Sequence, residues 1–195
     1  RSWKRFRWRN RQLSGGGAGL GGKSLRAAKA FGILRIEDGA GVLNARAKEA
    51  NMLKGIPGIL SPELMKILME MGHGDEIVLA DRNFPAASNA KRLIRLDGHG
   101  IPELLQAILR FFPIDTYVEE PVKLMAVAPG KGENPEIWKT YRRMLDAAQE
   151  GVGMGFLERM AFYDRARGAY AIIATSEPAP YANIILAKGE VVSDV

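Results

Sequence analysis

From Ser61 onward, short apolar runs alternate with stretches whose apolar residues recur every three or four positions. Ser61-Pro62-Glu63 reads as a helix start, with Ser as N-cap, Pro at the first helical position and an acid in the first turn. Leu64, Ile67, Leu68 and Met71 then share one face, and Gly72 is expected to stop the helix. Glu76 to Asp81 reads as a short buried strand, Ala86 to Lys91 as a short helix and Leu93 to Leu96 as a second strand. Pro102 opens a helix with Leu104, Leu105, Ile108 and Phe112 on its apolar face. Val122 to Ala128 reads as a strand, and Asn134-Pro135-Glu136 repeats the cap pattern ahead of Trp138, Tyr141, Met144 and Leu145. Gly151 to Gly155 breaks that helix, Phe156 to Arg167 reads as the next, and Tyr170 to Thr175 and Ala182 to Leu186 are the last strands. The alternation predicts a single α/β domain with a largely parallel sheet and helices packed on it.

Candidate chemistry centres on the segment MEMGHGDEIVLAD, Met69 to Asp81. His73, one of two histidines, lies between two glycines, which uncover the imidazole and allow positive φ at a tight corner. Asp81 falls at the carboxyl end of the predicted strand, where open α/β sheets usually place ligands. A proton carrier titrating near neutrality together with a carboxylate points to proton transfer on a small polar substrate. The plainer readings are that His73 caps a helix end through its dipole and that Asp81 caps a turn. His99, before the Pro102 helix, reads as a turn residue, and Phe84, Phe162 and Tyr163 read as core. GHGDE matches neither the dinucleotide fingerprint nor a P-loop, so no nucleotide cofactor is expected. Two histidines and no cysteine make a zinc site an unsuitable reading.

Charge separates the chain into two parts. Residues 1 to 51 hold 12 of the 28 Lys+Arg but 3 of the 22 Asp+Glu, a net of +9, whereas Met52 to Val195 carries a net of −3. The basic character therefore belongs to a leader, and the domain itself offers no support for nucleic-acid binding. Arg interleaved with Trp3, Phe6 and Trp8 could grip an anionic polymer or membrane, and the same composition suits an organellar transit peptide. A third reading is preferred. The first methionine is Met52, and Lys48-Glu49-Ala50-Asn51 can be encoded by a purine-rich ribosome-binding sequence just ahead of a start codon. Residues 1–51 are thus expected to be a disordered basic leader outside the native coding sequence, and 52–195 the functional domain. No apolar run approaches bilayer length, and the absence of cysteine fits a reducing, cytoplasmic setting.

Three ordered blocks carry a resemblance: LKGIPGILSPELMKILMEMGHGDEIVLAD, RMAFYDRARGAYAIIATSE and PYANIILAKG. With them the stretch from Met52 to Gly189 resembles the ribose pyranase / fucose mutarotase family, and RMAFYDR is more similar to the fucose branch. Ser176 stands where a glycine is familiar in that family. The resemblance implies a cytoplasmic, cofactor-free isomerase that interconverts sugar anomers, and a ring-shaped homo-oligomer with sites near subunit boundaries. It implies His73 as the proton donor, with Asp81, Arg159, Tyr181, Ala182 and Asn183 binding the sugar, L-fucose or a similar aldose. No metal, nucleic acid or membrane partner is implied. Tyr181 could relay a second proton, and the Asn183 amide could both donate and accept. Two alternatives remain open: pyranose/furanose interconversion of ribose, and a non-catalytic sugar-binding subunit.

Overall fold

The computed structural model describes residues 52–191, so the expectations for the leader 1–51 lie outside the described residues. The order of elements is α1 (Pro62–Glu70), β1 (Glu76–Ala80), α2 (Ala86–Asn89), β2 (Leu93–Leu96), α3 (Ile101–Ile108), β3 (Val122–Met125), α4 (Glu136–Ala148), β4 (Met154–Leu157), α5 (Arg159–Gly168), β5 (Ala171–Thr175) and β6 (Ile184–Ala187). Helix α1 starts as its sequence dictates: the Ser61 hydroxyl accepts from the Leu64 amide at 3.2 Å, and Pro62 and Glu63 fill the first turn. It ends at Glu70, two residues before Gly72, with Met71 already extended. None of the described helices is long and apolar enough to cross a membrane.

The strands form one mixed six-stranded sheet in the order β2-β5-β1-β6-β3-β4. Pairs β2/β5, β5/β1 and β3/β4 are parallel, while β6 runs antiparallel to both β1 and β3. The expectation of a largely parallel sheet is thus met by five strands pointing one way, with the last one reversed in their midst. Connection length explains the reversal. Only Ser176 to Asn183 separate β5 from β6, fewer than the dozen or more residues a parallel crossover needs.

Side chains alternate across the sheet, and both faces are covered. Ile77 and Leu79 pack with α1, α3 and α4 against Leu64, Leu104, Ile108, Tyr141 and Leu145. Val78 and Ala80 face the other way, onto Phe84, Phe162 and Ala166 beneath α2 and α5. Burial on both sides is why β1, β5 and β6 read as unbroken apolar runs.

Two expectations fail locally. Asn134 does not cap α4; Pro135 occupies the cap position with no side-chain bond. Phe156 and Leu157, read as helical, belong to β4, and the helix begins only at Arg159, where the Glu158 carboxylate accepts from the Met160 amide at 2.7 Å. The reason is tertiary. A Cβ at Gly153 would collide with the Glu119 carbonyl, so this glycine lets the chain lie flat against the segment before β3 and continue as an edge strand.

Leu186, fully buried in β6, sits opposite both Ile77 and Val122. Leu186→Ala should cost about 2–5 kcal/mol in urea unfolding, through lost burial and the cavity left behind. A loss below about 1 kcal/mol would show that β6 is not the packed centre of the sheet.

Candidate active site

Strand β1 ends in candidate chemistry on both sides, His73 before it and Asp81 after it. Eight residues through a strand rising ~3.3 Å per residue place the two on the order of 20 Å apart, at opposite rims of the sheet. Because β6 is antiparallel, it too contributes to both rims: Asn183 precedes it beside Asp81, and Lys188 to Glu190 follow it beside His73.

At the amino rim of β1, Gly74 takes φ +81°, and its amide donates to the Lys188 carbonyl at 2.8 Å. The corner turns out the His73 side chain, which is 38 % exposed. Its Nε2 lies 3.2 Å from Asp115 Oδ1, and its Nδ1 lies 3.7 Å from Glu190 Oε1. The Tyr117 ring leans on the imidazole at 5.1 Å, and the Tyr117 hydroxyl reaches Glu190 at 3.4 Å. The Asp115 side chain is only 6 % exposed. It accepts from the Tyr117 amide at 2.8 Å, while the Asp115 amide donates to the Ala187 carbonyl at 3.1 Å. Burial pushes the Asp115 carboxyl up, but the Tyr117 amide, the His73 ring and the Thr116 amide outweigh it and hold it below the usual carboxylate value. A buried carboxylate so placed orients the ring, and the partly exposed imidazole is of a type that can trade a proton with a ligand.

At the carboxyl rim, Asp81 and Asn183 embrace. The Asp81 amide donates to Asn183 Oδ1 at 2.8 Å, and Asn183 Nδ2 donates to Asp81 Oδ2 at 2.7 Å. The other Asp81 oxygen accepts from the Asn83 amide at 2.9 Å, which is the turn cap of the plainer reading. Burial pushes the Asp81 carboxyl up, and the bonds from Asn83 and Asn183 only partly offset it. A cleft of about 270 Å³ opens here, lined by Asp81, Arg82, Phe84, Arg95 and Thr175 among others.

Tyr181 and Ala182 lead into Asn183 through an unusual backbone. Among the described residues Tyr181 is the one non-glycine with positive φ, +56°. For a bulky side chain that conformation costs on the order of 1–3 kcal/mol and persists only where the surroundings impose it. Helix α4 does so: Trp138 Nε1 donates to the Tyr181 carbonyl at 2.9 Å, and the buried Tyr141 hydroxyl donates to the Ala182 carbonyl at 2.8 Å. Arg159 is exposed at the start of α5, on the same rim but three strands from β1, about 14 Å at ~4.8 Å per strand.

The structure therefore gathers Asp81, Ala182 and Asn183 with Tyr181 beside them, puts Arg159 along the same rim and leaves His73 alone at the far one. Sequence reading missed Asp115, Tyr117 and Glu190 as neighbours of His73. The one available signal was a lone acid in the apolar stretch Phe112-Pro113-Ile114-Asp115. The same reading placed Trp138 and Tyr141 in a helix but gave neither a hydrogen-bonding role. His99 meets its turn reading, with Nδ1 3.1 Å from Glu103 Oε1 and its carbonyl accepting from the Ser176 amide at 2.9 Å. Phe84 and Phe162 are core, as expected, and Tyr163 is half-buried against Phe84.

Taken with the sheet order, this is the arrangement of an α/β protein suited to proton transfer on a small polar ligand. The chain belongs to the RbsD / FucU transport protein family, whose sequence pattern matches residues 54–191. It is 52% identical over 143 residues to the fucose mutarotase of Mus musculus, covering 70% of this chain and 94% of the relative. The fucose mutarotase of Streptococcus pneumoniae, solved in complex with L-fucose, superposes with a TM-score of 0.68 at 52% identity, over 72% of this chain and 100% of that one. The Bacillus subtilis RbsD complexed with D-ribose is less similar, with a TM-score of 0.54 at 25% identity over 68% of this chain and 95% of that one.

Asp115 titrates below its ordinary value of 3.8 in the folded protein, so the stability it brings is present above that value and is lost as pH falls through the lower folded one. Unfolding midpoints of the unsubstituted protein and of Asp115→Asn, followed from about pH 6 to about pH 2, should converge at the acid end. A constant gap between them would mean that the charge on Asp115 plays no part.

Proposed function

We propose that this chain is a cofactor-independent mutarotase that interconverts the α and β anomers of L-fucose. The observation that carries the chemistry is the exposed His73 imidazole braced by the buried Asp115 carboxylate. The choice of sugar is supported by 52% identity to a fucose mutarotase solved with L-fucose, against 25% to the ribose-bound neighbour.

Mutarotation requires the anomeric hydroxyl to lose a proton while the ring oxygen gains one. The bond between C1 and the ring oxygen then breaks, the aldehyde turns over, and the ring closes on its other face with the protons returned. His73 gives a proton to the ring oxygen, stands as neutral imidazole while the sugar is open, and takes the proton back on closure, with Asp115 holding the ring in place throughout. Tyr181 is the candidate for the opposing proton relay. Asp81, Arg159, Ala182 and Asn183 orient the hydroxyls, Arg159 through its planar fork and Asn183 through an amide that donates and accepts.

Roughly 20 Å between the rims far exceeds the length of a monosaccharide. A single copy cannot present His73 and the Asp81–Asn183 pair to one sugar. The reading is completed by a homo-oligomer in which the amino rim of one copy faces the carboxyl rim of another, in keeping with a ring-shaped assembly. We assign the mutarotase domain to residues 52–195, and the lack of cysteine supports a cytoplasmic setting.

Saturation transfer between the L-fucose anomers should show exchange well above the buffer rate, and His73→Ala should lower it about 10²–10⁴-fold. Full activity in His73→Ala would remove the histidine from the mechanism. If sites form between copies, His73→Ala and Asn183→Ala chains, each weak alone, should regain activity when dissociated together and reassembled. Random mixing in equal amounts would restore about a quarter of the sites. No recovery would count against sites shared between copies.

A further inference from the structure

The backbone of the segment proposed to touch the sugar is held by side chains from helix α4. Residues 181–183 leave no regular ladder until Ile184, and their conformation includes the strained φ at Tyr181. Two consecutive carbonyls of this segment, those of Tyr181 and Ala182, are each taken by a side chain from one helix, Trp138 and Tyr141, spaced three residues apart and so on one face of α4. The next residue, Asn183, points its amide to Asp81 on the opposite side. A tilted contact at 5.1 Å with the Phe156 ring of β4 holds the indole in place, and Tyr141 is fully buried. Burial, with the charges of Glu177 and Asp81 adding to it, pushes the Tyr141 phenol well up, so its hydroxyl stays a donor. An apolar residue at either position would fill the same core space. The donor atoms are surplus to packing, and both are spent on the segment that precedes Asn183.

We propose that Trp138 and Tyr141 are positioning residues that clamp the Tyr181–Asn183 backbone in its binding geometry, acting on the sugar through Asn183. This rests on the reading that residues 181–183 bind the sugar. The clamp sets ground-state orientation, so its loss is felt in sugar affinity more than in proton transfer.

The test uses the full chain carrying Tyr141→Phe or Trp138→Phe, each alone and combined with Asn183→Ala. Both substitutions keep a ring and remove the donor. Two readouts are needed: KM and kcat for L-fucose by saturation transfer, and deuterium exchange of the peptide spanning residues 178 to 186. Tyr141→Phe is expected to raise KM about tenfold, with kcat changed less than about threefold, and to speed exchange in that peptide about tenfold. In the Asn183→Ala background it should add less than about a twofold change, because the residue it acts through is gone. Trp138→Phe should act in the same direction and serves alone if Tyr141→Phe fails to fold. A KM within about twofold of the unsubstituted protein, or an equal penalty in both backgrounds, would overturn the proposal. If the unsubstituted protein left L-fucose at the buffer rate, the mutarotase reading would fall by itself. Deuterium exchange would then decide on the clamp, with unchanged exchange counting against it and faster exchange for it.

Discussion

The reversed ladder that β6 makes between β1 and β3 is the constraint on which both rims depend. Four residues of β6 pair with β1 from Glu76↔Ala187 to Leu79↔Ile184, and the chain enters and leaves that ladder at opposite ends of the sheet. Entry delivers Asn183 to Asp81, and exit delivers Lys188 to the Gly74 corner and Glu190 to His73. Had β6 added in parallel, the Asn183 end would have met the His73 corner. The apolar residues that hold this ladder, Ile184, Ile185 and Leu186, are fully buried. An apolar strand covered on both faces thus fixes two polar clusters, one at each rim.

Buried carboxylates do much of the local fastening, each through backbone amides. Glu177 accepts from the Ile101 amide at 3.1 Å, serving the start of α3 from a distant loop, and from the Ala179 amide at 3.0 Å. Asp81 and Asp115 hold the turns at Asn83 and Tyr117 in the same way. Their surroundings separate the last two. Asp115 faces a ring that can carry positive charge, and its carboxyl is held down; Asp81 faces a neutral amide, and burial prevails. The same side-chain type therefore serves as a counter-charge at one rim and as a hydrogen-bonding brace at the other.

Much of the fold was legible because local chemistry agreed with tertiary need. Ser61-Pro62-Glu63 caps α1, and the apolar runs at β1 and β5 are buried in the sheet. Strand β4 was not legible. Its glycines read as a helix breaker, and their purpose, close approach to Glu119 and Glu120, exists only after the sheet is assembled. The reversal of β6 was hidden for a related reason, since a strand buried on both faces carries no mark of its direction. His73, Asp81, Arg159, Tyr181, Ala182 and Asn183 were singled out by type and family resemblance, but their grouping, and Asp115, Tyr117 and Glu190 beside His73, were not. His73 and Asp81 are near in sequence and far apart in space, whereas His73 and Asp115 are separated by 42 positions and touch.

Hydrogen bonds pin β1 and β6 to each other beyond both ends of their ladder. Gly74 holds Lys188 at one end, and Asp81 holds Asn183 at the other. An insertion or deletion of one residue inside either strand would unhook one pin and turn every following side chain to the opposite face. The interval from Gly74 to Asp81 and the interval from Asn183 to Lys188 are therefore bound to change length together or not at all. A one-residue gap is thus the change this core pair tolerates least, and the loops around it are where chain length can vary at little cost.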